Sequence, residues 1–180
     1  QMLEAKGIPY HPEHQVKSVD PAARRLDFAN GASAHFDLLA YVPPHRVPRV
    51  VRDSGLVGDS GWVSVDRHTL ETRFSGVYAI GDVVSIPLQL GKPLPKAGVF
   101  AHLEAEVVAG NVAAAILGRS GGERFEGHGE CFVEIGGGKA AFGTGNFYAE
   151  PVPAVTLRPP SRWLHFGKVL FEVVWLHFKL

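Results

Sequence analysis

Val77-Tyr78-Ala79-Ile80-Gly81-Asp82 is the stretch whose reading decides the fold of this chain. An apolar run leads straight into a glycine and then a carboxylate. A short continuous apolar run bounded by turn residues predicts a strand buried on both faces, the pattern of a parallel sheet. Gly81 permits a sharp turn or the close approach of another group. Asp82 then stands at the carboxyl end of the strand, where open α/β sheets bind ligands, and its carboxylate suits hydrogen bonds from ligand hydroxyls. The plainer alternative is an aspartate that caps the next turn.

Working outward, Gly61-Trp62-Val63-Ser64-Val65-Asp66 reads as a strand, and Leu70-Glu71-Thr72 leads through Ser75-Gly76 into the motif. Residues 83–98 are rich in proline and glycine, and a helix is predicted over 97–117. There Val99, Ala101, Val107, Val108, Asn111, Val112, Ala115 and Ile116 mostly keep i, i+3, i+4 spacing. Pro95 and Lys96 suit its first turn, and Gly118 suits the position just past its end. Its N-terminus carries unpaired N–H groups and roughly half a positive charge, to which Lys96 adds a full one.

Ahead of the motif, residues 1–7 read as a helix end and Val16 to Val19 as a short strand. Segments 24–29 and 32–42 flank Asn30-Gly31, a two-residue hairpin signal because both turn positions need positive φ. Phe36 to Val42 reads as a buried strand ended by Pro43-Pro44. Beyond the helix, residues 119–127 form a polar connector. Cys131–Ile135 and Ala140–Tyr148 form a hairpin pattern across Gly136-Gly137-Gly138. The tail from Trp163 to Leu180 is aromatic and aliphatic. If it is helical, His165, Lys168, Glu172 and Lys179 fall on one narrow stripe.

Composition narrows the classes. The 180 residues suffice for one domain with a sizeable core or parts of two. With 18 basic and 18 acidic residues there is no electrostatic footprint for nucleic acid. A hydrophobic content of 46% argues against disorder. No signal peptide is evident, and no apolar run reaches the ~18–20 residues of a membrane span. The single cysteine excludes an internal disulfide and a thiolate-cluster metal site. No strand is followed by Gly-x-Gly-x-x-Gly, so this sequence has no loop to cradle a dinucleotide pyrophosphate.

From Pro43-Pro44-His45 through Ala79-Ile80-Gly81-Asp82 to Lys96-Ala97-Gly98, the chain resembles the flavin-binding half of the two-dinucleotide-domain flavoprotein oxidoreductases. Within them it is most similar to the sulfide:quinone oxidoreductases and flavocytochrome c sulfide dehydrogenases. The resemblance implies an α/β fold, a C-terminal fragment of a glutathione reductase-like flavoprotein with a C-terminal hairpin and amphipathic helix. It implies three parts: residues 1–46 end a second nucleotide-binding domain, 47–118 form the C-terminal half of an FAD-binding domain, and 119–180 form the hairpin and apolar tail.

The same resemblance implies that Asp82 holds the ribityl chain of FAD, with Gly81 beside it among the cofactor-binding residues. It sets Lys96, Ala97 and Gly98 beside the flavin, where a helix N-terminus stabilises the charge of the reduced form. It also implies a redox role for Cys131, which would pass sulfur as persulfide with a second cysteine from outside this sequence. A lone cysteine entering a buried strand is otherwise an inert core residue. Sulfide and a quinone are the implied substrates. The tail is the implied contact with a membrane surface, giving a cytoplasmic, peripherally attached enzyme, with a homo-oligomer left open. By its residues alone the tail reads equally as core or as an interfacial helix.

Two other readings remain open: a type II NADH:quinone dehydrogenase, which shares the flavin half and the tail, and a non-catalytic domain that keeps a degenerate flavin fold. Pro43-Pro44-His45 stands where nicotinamide-using relatives carry a glycine-bearing turn, which weighs against NAD(P)H. His102, Glu104 and Glu106 lack the spacing of a zinc helix and are expected on the polar face of their helix. His11, His14 and His45 read as surface or loop residues.

Overall fold

The computed structural model describes residues 2–119 and 122–178. Gln1 of the expected helix end, Ser120-Gly121 of the connector, and Lys179 and Leu180 of the tail lie outside the described residues. The chain divides into two compact units, Gln1–Pro44 and His45–Leu180.

The first unit opens with a short helix, α1 (Met2–Ala5), and continues as an antiparallel sheet of β1 (Val16–Asp20), β2 (Arg25–Phe28) and β3 (Ser33–His35) in that order. Asn30-Gly31 lies in a hairpin between β2 and β3 as expected, but not as a two-residue turn with both φ positive. Only Gly31 of the pair is left-handed, and Gly31 N donates to Phe28 O, which sets the turn over residues 28–31. Gly31 adopts φ +86°, and the Asn30 side chain accepts from Ala32 N at 3.0 Å. The predicted buried strand from Phe36 to Val42 does not form. The chain leaves the sheet after His35, and Leu38, Tyr41 and Val42 are 88%, 63% and 78% exposed. An apolar run becomes a strand only where a neighbour takes its backbone bonds, and among the described residues only Phe36 is so paired, its N–H donating to Arg24 O.

The second unit is built around a long irregular segment followed by regular structure. A short helix, α2 (Arg49–Asp53), begins it. The expected strand at 61–66 is instead a crossing point: isolated bridges link Val63 to Val57 and Val84, and Val65 to Thr72. Val63 is fully buried there, giving its N–H to Val83 O and accepting from Ser85 N. A single 3-10 turn, Gly81–Val83, leads on toward α3 (Gly98–Ile116). Val63, Leu70, Val84, Ile86, Leu88, Leu94, Phe100, Val107 and Phe125 form one core cluster.

The opening motif is therefore corrected. Residues 77–80 are extended but not a doubly buried strand. Ala79 N bonds to Leu70 O and Thr72 N to Val77 O, so one earlier segment is the neighbour, and Val77 is 39% exposed. With a ladder on one side only, no parallel sheet closes over it.

The second sheet has the order β4 (His128–Gly136), β5 (Lys139–Asn146), β6 (Ala154–Ser161), antiparallel throughout. The predicted hairpin is present, with Gly137 and Gly138 both at φ +65°, the conformation that a tight turn of this hand needs. Strand β6 had no counterpart in the sequence reading, because Pro159-Pro160 argues against a strand except at an edge, which is where β6 lies. The last element, α4 (Arg162–Phe178), confirms a helical tail.

One expectation about apolar runs also changes. Helix α3 is long and apolar enough, by length and composition, to cross a membrane. Glu104 and Glu106 interrupt the apolar run, whereas the alanines and valines on either side of them raise its mean hydropathy.

Candidate functional site

The site begins where the extended chain 77–80 ends. Gly81 adopts φ +69°, and a Cβ there would meet the Ala101 Cβ at 3.2 Å. A side chain is thus disfavoured twice, by backbone conformation and by the helix pressed against it. Gly81 N donates to Glu104 Oε2 at 2.6 Å. Glu104 is 1% exposed, the one charged residue buried in the core among those described. Burial pushes its carboxyl above the ordinary range, and the Gly81 N–H and the nearby Lys96 charge partly offset this.

This overturns the placement of Glu104 on the polar face of α3. The buried face runs Phe100, Glu104, Val107, a spacing of four and three residues that puts all of them on one side. Val112 and Ile116, expected inside, are 37% and 79% exposed. The clue in the sequence was a charged residue at i+4 from Phe100, inside an apolar stripe. Such a residue needs a built partner, and the partner is a backbone N–H that no residue pattern announces.

Asp82 is exposed and, among the described residues, its carboxylate accepts no hydrogen bond. Lys96 turns back onto the same turn: Nζ donates to Asp82 O at 2.6 Å and Val84 O at 2.7 Å. Its ammonium also lies 3.6 Å from the Trp62 ring centroid, a cation–π contact absent from the sequence reading. Burial lowers the Lys96 pKa, while Asp82 and Glu104 act to raise it. Ala97 follows as the N-cap, extended at φ −148° and ψ 144°, with no side-chain cap. Phe100 N and Ala101 N donate to Ala97 O, so among the described residues it is the Gly98 and Val99 N–H groups that are left for other acceptors.

The structure therefore brings Gly81, Asp82, Lys96, Ala97 and Gly98 together. A shallow cleft lies between them, lined by Gly81, Leu94, Lys96, Ala97, Phe100 and Glu104. Cys131 is not among the lining residues. It sits exposed on β4, opposite Gly143, with Sγ 3.2 Å from Phe132 O. The expected buried strand around it is an exposed one. The strand that meets α3 does so one turn of the ladder earlier, where Gly129 lies against the Phe100 ring so closely that a Cβ would fall 2.4 Å from it.

Helix α4 lies on the hairpin. His165 Nδ1 is 2.8 Å from Glu134 Oε1, and the Phe171 and Phe132 rings are 6.1 Å apart. Trp175 meets His102 of α3 edge-on at 4.9 Å. Lys168 pairs with Glu172 along the helix. No residue of α4 is buried, and Trp163, Phe166, Leu176 and Phe178 are 82%, 61%, 62% and 80% exposed.

The chain is similar to known proteins in sequence and in fold. The mitochondrial sulfide:quinone oxidoreductase of Schizosaccharomyces pombe is 31% identical over 117 residues, 64% of this chain and 24% of that protein. The sulfide:quinone oxidoreductase of Aquifex aeolicus superposes with a TM-score of 0.80 at 20% identity, over 97% of this chain and 42% of that one. The chain is thus similar to sulfide:quinone oxidoreductases in sequence and in fold. A FAD-dependent pyridine nucleotide-disulphide oxidoreductase from Desulfovibrio vulgaris shares the fold, with a TM-score of 0.53 at 24% identity over 81% of this chain and 36% of that one. The match is to the C-terminal part of these structures, and the chain spans about a quarter of the length of the curated Schizosaccharomyces relative. No family model matches the chain.

Proposed function

We propose that this chain supplies the flavin-facing and acceptor-facing parts of an FAD-dependent sulfide:quinone oxidoreductase. The observation that carries the reading is the convergence of Gly81, Asp82 and the uncapped start of α3 in a chain similar to those enzymes. The residues present fit FAD: Asp82 offers an exposed carboxylate that accepts no hydrogen bond among the described residues, Gly81 lets the turn press against Ala101 of α3, and α3 offers the Gly98 and Val99 N–H groups. In this reading Asp82 accepts from ribityl hydroxyls. The first turn of α3 stabilises negative charge on the reduced ring, and Lys96 acts by fixing the turn that carries Asp82. When bound, FAD supplies the two-electron relay between donor and acceptor.

Overall, hydrogen sulfide and a quinone become sulfane sulfur and quinol, two electrons and two protons passing between them. Cys131, with a second cysteine from outside this sequence, would carry the sulfur as persulfide, the two electrons and two protons of that oxidation passing by way of FAD to the quinone. Exposure on β4 leaves its Sγ accessible. The outward aromatic face of α4 suits attachment to a membrane surface, from which a quinone would be drawn. Residues 1–46 would close the neighbouring nucleotide-binding domain.

The test uses the whole protein. It should purify with a flavin absorbance spectrum that sulfide bleaches, and Cys131→Ser should abolish the bleaching while FAD stays bound. A protein without flavin refutes the reading, and bleaching of the Cys131→Ser variant at the normal rate refutes the role of the thiol.

A further inference from the structure

Glu104 is a buried ionisable group that the reading above leaves without work. It stands 1% exposed, its Oε2 2.6 Å from Gly81 N, on the helix whose first turn would face the reduced flavin. From the other side, Lys96 Nζ holds Asp82 O and Val84 O. A carboxylate and an ammonium thus grip residues 81–84 from opposite ends, one through an N–H and one through carbonyls. Both lie in a poorly solvated setting, where charge acts over longer distances than it does in water.

We propose that Glu104 is a positioning and charge-balancing residue of the flavin site: it anchors the Gly81–Asp82 peptide to α3 and counters the Lys96 charge, setting how strongly the site favours the reduced cofactor. The inference rests on the flavin reading of this site. A simple structural strut would be served as well by a neutral acceptor, and glutamine would avoid the cost of burying a carboxylate. The charged groups acting on Glu104 are Lys96 and Asp82, and the buried phenol of Tyr148, itself pushed upward by burial, couples to it as well. With its pKa raised by burial, Glu104 loses its charge first as pH falls, so its influence on the cofactor is pH-gated.

The experiment is a redox titration of the whole FAD-loaded protein and of Glu104→Gln and Lys96→Met, from about pH 5 to about pH 9, an interval chosen to bracket a raised carboxyl. Glutamine keeps an acceptor for Gly81 N–H and removes only the charge. The expected result is a higher midpoint potential for Glu104→Gln at high pH, converging on the unmodified protein at low pH, where both side chains are neutral. Lys96→Met should shift the potential the opposite way. Identical potentials for Glu104→Gln and the unmodified protein at every pH overturn the inference. So does a shift that ignores pH, or loss of FAD from Glu104→Gln. If the unmodified protein binds no FAD, it is the flavin reading that fails instead.

Discussion

Helices α3 and α4 are of similar length, nineteen and seventeen residues, and they are arranged in opposite senses. The first is apolar nearly all round, yet one of the three side chains it buries is a glutamate. The second turns Trp163 and Phe166 outward and sets His165 and Phe171 toward the hairpin, against Glu134 and Phe132. Burial in each case follows from what the facing surface offers. Around α3 that surface includes the Gly81 N–H, which needs an acceptor. Under α4 it includes Glu134, which needs a cation or a donor. Hydrophobicity supplies the drive to bury, and unpaired polar groups decide which face goes in.

The comparison can be broken at its firmest point. Phe100→Ala should cost about 3–5 kcal/mol, measured by denaturant unfolding of the whole protein, because the ring meets Phe125 and Phe147 edge-on and is 4% exposed. A loss under about 1 kcal/mol would show that α3 is not held by this face. Next in size, Phe166→Ser on α4 should leave stability within about 0.5 kcal/mol. It should weaken sedimentation with lipid vesicles about tenfold, the worth of one large apolar side chain leaving water. Unchanged vesicle binding together with a large loss of stability would mean that α4 is a core helix after all.

Gly81→Ala should destabilise by about 1–2 kcal/mol, through its left-handed backbone and the contact with Ala101. A neutral result in thermal melts would show that the turn relaxes away from α3. The smallest effect is a pH slope. A carboxyl whose folded pKa is raised binds its proton more tightly in the folded state. Its contribution to stability is therefore highest below the ordinary value of 4.5 and declines as pH rises through the raised folded value. Glu104→Gln should flatten that decline. Asp66 runs the other way. The Thr69 and His68 backbone N–H groups hold its pKa down, so its contribution is present above its unfolded value and lost as pH falls through the depressed folded one. The two slopes differ in sign, and only the Glu104 slope should disappear in the glutamine variant.

Much of this was legible in advance where the governing interaction is local. The Asn30-Gly31 turn, the glycine hairpin at 136–138, the span of α3 and the helical tail all depend on φ preferences and short-range periodicity. The convergence of residues 81–82 with 96–98 was also readable, through resemblance rather than through spacing. The failures share a cause. Residues 36–42 and 77–80 have the composition of buried strands, but a strand exists only where distant segments supply its ladder. Strand β6 forms despite two prolines because it needs a ladder on one edge alone.

By itself the sequence determined the turns, the helices and the glycine-aspartate pair at the centre of the site, because each is encoded within a few neighbouring residues. Only the tertiary structure decided that Glu104 lies inside, that Lys96 grips the backbone of the turn it was expected to flank, and that α4 turns Trp163, Phe166 and Phe178 outward while Phe171 and Trp175 meet Phe132 and His102. Those outcomes turn on which backbone N–H and C=O groups, twelve or more residues away, are left needing a partner. That demand is created by the fold and has no local signature in the chain.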